Sequence, residues 1–193
     1  MARPIQFKRE EVLEKAMEAF WEGGYCATSM ACLVEVTKLK PGSLYAAFKS
    51  KEGLFLAALD CYGERSAARI GQALAKSDSP LQGIRAYFHE LADGMANPRT
   101  RHSCLLVNTV LELARQDEVV RKRVNLHFHA IEARFIKALE DAQADGELSS
   151  DKDPAALAAF LMSNIWGLRV LEGTAPEQER ARAVVDQLLK LLD

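Results

Sequence analysis

The chain has 193 residues, enough for one ordinary domain or two small ones. Hydrophobic residues at 49% and charged residues at 27% exclude a disordered chain. A formal net charge of -2 excludes nucleic-acid binding by bulk charge, so any such contact must rest on local charge.

Val12, Leu13, Ala16, Met17 and Phe20 recur at helical spacing and predict a first helix over 7–23. Gly23 and Gly24 are expected to end it. Thr28 is expected to cap a second helix over 29–37, with Met30, Leu33 and Val34 facing inward. Lys38-Leu39-Lys40 reads as a turn, and Pro41 suits the first position of a third helix running to about Phe48. That helix sets Ser43, Tyr45 and Ala46 on one side, with Leu44 and Phe48 on the other. Lys38, Lys40, Lys49 and Lys51 bracket it, and no carboxylate lies between Lys38 and Lys51. A short helix with a small outward face between cations fits a DNA major groove. Ser50 is expected to cap a fourth helix, with Lys51 in its first turn, where free N–H groups suit a phosphate.

Phe20, Gly23, Gly24, Tyr25, Thr28, Ser29, Met30 and Leu33, followed by the run PGSLYAAFKSKEGLF from Pro41, resemble the N-terminal DNA-binding domain of the TetR family of transcriptional regulators. The family usually has glycine in the turn between its second and third helices, where this chain has Lys38. The resemblance implies backbone contacts to DNA from Thr28, Tyr45 and Lys51. It implies that Gly42, Ser43 and Ala46 face base edges. With so few hydrogen-bonding side chains on that helix, specificity is expected to draw on Lys38, Lys40 and DNA shape.

From Glu52 onward the pattern is wholly helical. A fourth helix is expected to about Ala75, and Ser79 and Pro80 should open a fifth carrying Leu81, Ile84, Phe88, Leu91 and Met95. Asn97-Pro98 should stop it. Further helices are expected over 104–114, over 117–144 and from Pro154 to about Leu171. A last helix to Leu192 is expected behind a Thr174–Glu177 capping box. The expected fold is all-α: an N-terminal three-helix helix-turn-helix DNA-binding domain (1–51) and a C-terminal helical domain for ligand binding and dimerisation (52–193). The stretches 155–171 and 177–192 are too apolar for open surface, and the resemblance implies that they pair with a second copy into a homodimer. Phe88, Met95, Cys104, Asn108, Phe128, Phe135 and Trp166 mix aromatic with polar or soft groups, as small-ligand pockets do. The segment CLLVNT from Cys104 resembles a TetR subgroup with a cysteine at that point, through which some members sense electrophiles or oxidants. A buried inert thiol and a sensor both remain open for Cys104, with Arg99, Arg101 and His102 just before it.

The cysteines, Cys26, Cys32, Cys61 and Cys104, form no CxxC pair and no metal-ligand spacing, so free thiols in a reducing cytoplasm are expected. The start MARPIQFKREE lacks the apolar core of a signal peptide. The stretch 155–171, interrupted by Ser163, Asn164, Gly167 and Arg169, falls short of the ~20 residues of a membrane span, and no membrane contact is expected. No nucleophile elbow, phosphate-binding glycine loop or metal-binding His-Glu helix appears, so no catalytic residue, metal or cofactor is expected. His127 and His129 lie about 200° apart on a helix and do not chelate together; His129 with Glu132 reads as a surface pair.

The expected function is therefore a repressor released from a pseudo-palindromic double-stranded DNA operator by a small-molecule effector. Two alternatives stand beside it: a thiol-based sensor acting through Cys104, and a helical enzyme or scaffold that has lost DNA binding.

Overall fold

The computed structural model describes residues 7–95, 104–174 and 177–193. Among these, every regular element is helical. The expected stop at Asn97-Pro98 and the cations Arg99, Arg101 and His102 lie outside the described residues.

Helix α1 (Arg9–Ala27) buries Val12, Ala16, Met17 and Phe20, four of the five residues of its expected apolar face, and leaves Leu13 half-buried. It runs past the expected end at Gly23. Gly24 breaks it at φ 74°, and one further turn follows. Helix α2 (Met30–Thr37) is capped by Ser29, whose hydroxyl accepts from Cys32 N at 3.1 Å. The cap expected at Thr28 is thus one residue early. Thr28 is buried at the end of α1, and its hydroxyl donates to Gly24 O at 2.6 Å. Helix α3 (Pro41–Phe48) starts on Pro41 as expected, and Ser50 caps α4 (Lys51–Leu74) by accepting from Gly53 N at 3.0 Å.

Helix α4 runs along one continuous core. Near its start Phe55 meets Phe20 edge-on, with ring centroids 5.0 Å apart. Two turns later Tyr62 meets Trp21 at 5.1 Å, and the helix continues into contact with α5 (Pro80–Met95) and α7 (Glu118–Ala144). The α4–α7 crossing is close at Gly63, where an added Cβ would lie 2.3 Å from the His127 ring. His127 is buried there and its Nε2 lies 2.9 Å from Asp60, which also pairs with Arg123. His127 is thus part of a polar clasp between the two helices. His129 makes the expected surface pair with Glu132 at 3.3 Å.

In α5 Leu81, Ile84, Phe88, Leu91 and Met95 are all buried. Ser79 caps α5 by accepting from Gln82 N at 3.1 Å. The expected single helix over 104–114 is in fact α6 (Leu105–Thr109), with Cys104 at its N-cap, followed by a π-helical turn, Val110–Ala114. Asp117 caps α7, about 40 Å long, and Asp153 caps α8 (Pro154–Glu172). Thr174 closes α8 by donating to Leu171 O at 2.7 Å. The expected Thr174–Glu177 capping box is therefore absent, and Glu177 itself is the N-cap of α9 (Gln178–Leu189). Helix α9 packs on α5 and turns Ala181, Val185, Leu188 and Leu189 inward.

At 19 residues α8 reaches the length and apolarity of a membrane span, as core helices also can. Only one of its sides is covered in the single chain. Leu161, Met162, Ile165 and Leu168 pack inward, while Phe160, Trp166 and Val170 remain open.

Candidate nucleic-acid interface and internal cavity

Leu44 and Phe48 anchor α3 to the core at 1% and 5% exposure. The opposite face is open: Gly42, Tyr45 (48% exposed) and Ala46 face outward, and Ser43 is half-buried beside them. An added Cβ at Gly42 would meet nothing within 4 Å, so this end of α3 is free of its own fold. Lys38 and Lys40 are exposed at its start and Lys49 at its end. The surface is therefore small, uncharged at its centre and cationic at both ends, a shape and charge that fit between two phosphate backbones.

Two of these lysines stand where glycine is favoured. Lys38 has φ 59° and Lys49 φ 69°. A lysine in this region costs about 1–2 kcal/mol relative to glycine, part of which the greater freedom of glycine in the unfolded chain offsets. Lys38→Gly is therefore expected to raise the unfolding free energy by about 0.5–1 kcal/mol in a urea titration. It should also lower the salt dependence of DNA binding by about one counterion. Unchanged stability together with unchanged salt dependence would count against a phosphate role for Lys38.

Two expected backbone contacts look different in three dimensions. Thr28 is buried and its hydroxyl lies within reach of Gly24 O and Ala19 O, so its side chain is turned into the fold. Ser29 stands at the helix start instead. Lys51 lies with its ammonium 4.3 Å over the Tyr25 ring, half-buried at the first turn of α4.

The second site is a small void of about 30 Å³ between α4, α5, α7 and α8, lined in part by Tyr62, Tyr87, Cys104, Phe128, Trp166 and Arg169. Cys104, Phe128 and Trp166 thus come together as expected, the last two with rings 4.7 Å apart. Phe88, Met95 and Phe135 do not line it. They are at most 2% exposed and belong to the core, with Phe88 and Phe135 packed against Tyr87. Asn108 is half-buried and also outside the lining.

Tyr62, Tyr87 and Arg169 were missed. They sit on α4, α5 and α8, far apart in the chain, and only the packing brings them together. Burial pushes the Tyr62 phenol well above its usual value, and the Cys104 thiol beside it adds to that. Burial also raises Tyr87, against the nearby charge of Arg169. Burial alone would lower Arg169, but Tyr87 and the buried Glu172, 3.0 Å from the guanidinium, outweigh it and hold it firmly protonated. The cavity wall therefore holds two phenol hydroxyls, a thiol and the Arg169 guanidinium, which pairs with Glu172 outside the lining.

Residues 12–58 match the family described as bacterial regulatory proteins, tetR family. Residues 80–186 match the tetracyclin repressor-like C-terminal domain, which alone covers more than half of the chain. The chain belongs to the TetR family. It is a DNA-binding transcriptional regulator. Among curated relatives it is 34% identical to the HTH-type transcriptional repressor ComR of Escherichia coli K12, over 98% of this chain and 90% of that one. Among solved structures it is 32% identical to the TetR-family regulator CifR, a double cysteine mutant in complex with 26bp double-strand operator DNA. That match has a TM-score of 0.86 and covers 97% of this chain and 98% of CifR. The reduced form of NemR from Escherichia coli has the same fold, with a TM-score of 0.85 at 20% identity over 93% of this chain and 94% of NemR.

In this TetR-family chain the N-terminal helices α1 to α3 lie at one end of α4, and the cavity lies along the remainder of the same helix. The π-helical turn after α6 joins the two. Glu112 in that turn accepts hydrogen bonds from Tyr25 N at 3.0 Å and Cys26 N at 2.7 Å. Partial burial would raise its carboxyl, but the N–H groups of Cys26 and Tyr25, the Cys26 thiol and Lys51 more than reverse this and hold it below the usual carboxylate range. This bridge was not legible in the sequence, because it joins a side chain to backbone N–H groups far away in the chain.

Proposed function

We propose that the protein is a cytoplasmic homodimeric repressor. In this reading two copies of α3 bind a pseudo-palindromic operator, and a small-molecule effector releases them. The observation that carries it is the open face of α3, uncharged at Tyr45 and Ala46 and flanked by exposed Lys38, Lys40 and Lys49. Lys38, Lys40, Tyr45 and Lys51 hold phosphates, while Gly42, Ser43 and Ala46 face base edges. Ala46 meets a thymine methyl. The naming of ComR as a repressor and the operator complex of CifR support the reading. Residues 1–51 act as reader and 52–193 as effector-binding and dimerising body, without enzymatic activity. The two readers must stand about one helical turn, ~35 Å, apart.

The effector enters between Tyr62, Tyr87, Cys104, Phe128 and Trp166. A void of about 30 Å³ is far below the 300 Å³ or more of a ligand pocket, so entry must move side chains or helices. That movement couples the cavity to the reader spacing, at a cost to DNA binding of about 1–3 kcal/mol. Nuclease footprinting on the DNA flanking the gene tests the reading. Protection of one two-fold symmetric site by a dimer is expected, and an absence of any protected site would sink it.

The position of Cys104 in the cavity wall, beside the Tyr62 hydroxyl, favours a second reading in which the effector reacts with the thiol. Cys104→Ser is then expected to bind the operator with unchanged affinity but to stay bound after treatment with a thiol-reactive electrophile such as N-ethylmaleimide. Release equal to that of the wild type would remove Cys104 from the mechanism.

A further inference from the structure

We propose that Glu112 is a positioning residue for DNA binding: from the body it clamps the reader at the break after Gly24 and fixes the angle at which α3 is presented. The inference rests on the reading of α3 as the DNA contact.

At the break, Gly24 has φ 74° and ψ 170°, so the turn that follows begins with N–H groups lacking helical partners. The two oxygens of Glu112 accept one each, Oε2 from Tyr25 and Oε1 from Cys26. The approach needs glycine, since an added Cβ at position 24 would lie 2.9 Å from Oε2. A charged acceptor shared by two amides is among the stronger hydrogen-bonding arrangements.

Both ends of the clamp lead somewhere. On the reader side, the Tyr25 ring packs 4.8 Å from Phe55 and carries the Lys51 ammonium on its face. Tyr25 thus ties the clamp to the start of α4, which packs on α3, so the reader moves as one unit. On the body side, Glu112 sits in the π-helical turn that continues α6, and α6 begins at Cys104 in the cavity wall. A π-helical turn within a helix is often found at functional positions. One continuous segment thus runs from the cavity to the reader, and a ligand that shifts α6 also withdraws Glu112.

The test uses Glu112→Ala and Glu112→Gln in the full-length protein, with two duplexes: the complete footprinted site and one half-site. Glu112→Ala should bind the complete site about fivefold more weakly, and the half-site as the wild type does. The amides of Tyr25 and Cys26 should exchange faster with solvent. Glu112→Gln keeps one acceptor oxygen and should fall between the two, and it carries the comparison if the alanine variant fails to fold. Wild-type affinity of the variants for the complete site would overturn the proposal. So would equal losses on both duplexes, which would mean a damaged reader rather than a mispositioned one. A wild-type protein that binds neither duplex would instead sink the function proposed above, and the clamp with it.

Discussion

Val170→Asp is expected to give a folded monomer that binds the operator at least ~100-fold more weakly than the wild type. Val170 is 49% exposed in the single chain, on a face of α8 that also offers Ala155, Ala156, Ala159, Phe160, Ser163 and Gly167. Small residues let a second helix approach closely, and Phe160 and Val170 supply apolar area. A carboxylate buried there without a partner costs several kcal/mol, more than most interfaces of this kind can lose. Once the dimer falls apart, each reader binds alone. The gain of ~10²–10⁴ that comes from linking two binding modules is then lost. Sedimentation velocity and fluorescence anisotropy on the same samples check both halves of the prediction. A variant that stays dimeric would move the interface off α8.

Phe135→Ala should cost about 3–5 kcal/mol of folding stability, the usual range for removing a buried aromatic ring. Phe135 has no exposed surface, and its ring lies 5.6 Å from Tyr87 and 6.2 Å from Phe88. The hole would open behind Tyr87, so the cavity wall should loosen along with the core. Urea unfolding followed by circular dichroism measures the loss. A value under about 1 kcal/mol would mean that the body repacks freely, which a wall held by the Arg169–Glu172 pair should not do.

The reader was largely legible in the sequence because its signals are local. Pro41 at a helix start, Ser50 as a cap and the inward pair Leu44 and Phe48 each depend on neighbours a few residues away, and all three stand as expected. Thr28 misled because Thr28 and Ser29 are both good caps, and tertiary packing at the end of α1 took one of them inside. The cavity was only partly legible. Phe88 and Phe135 have the composition of pocket residues but fill the core, while Tyr62, Tyr87 and Arg169 meet only through the crossing of three helices. Glu112 and Gly24 leave no periodic trace at all, since their contact joins residues 86 to 88 positions apart through two backbone N–H groups. In α9 most of the apolar stripe is core against α5, while Val184 stays open.

The most direct measurement is the salt dependence and stoichiometry of binding to the footprinted duplex. Four lysines around α3 on each of two readers, at about -0.9 per phosphate contact, set a slope of log K against log salt between about -4 and -7, with two protomers bound per duplex. A slope near zero, or one protomer per duplex at saturation, would contradict the paired, lysine-flanked reader.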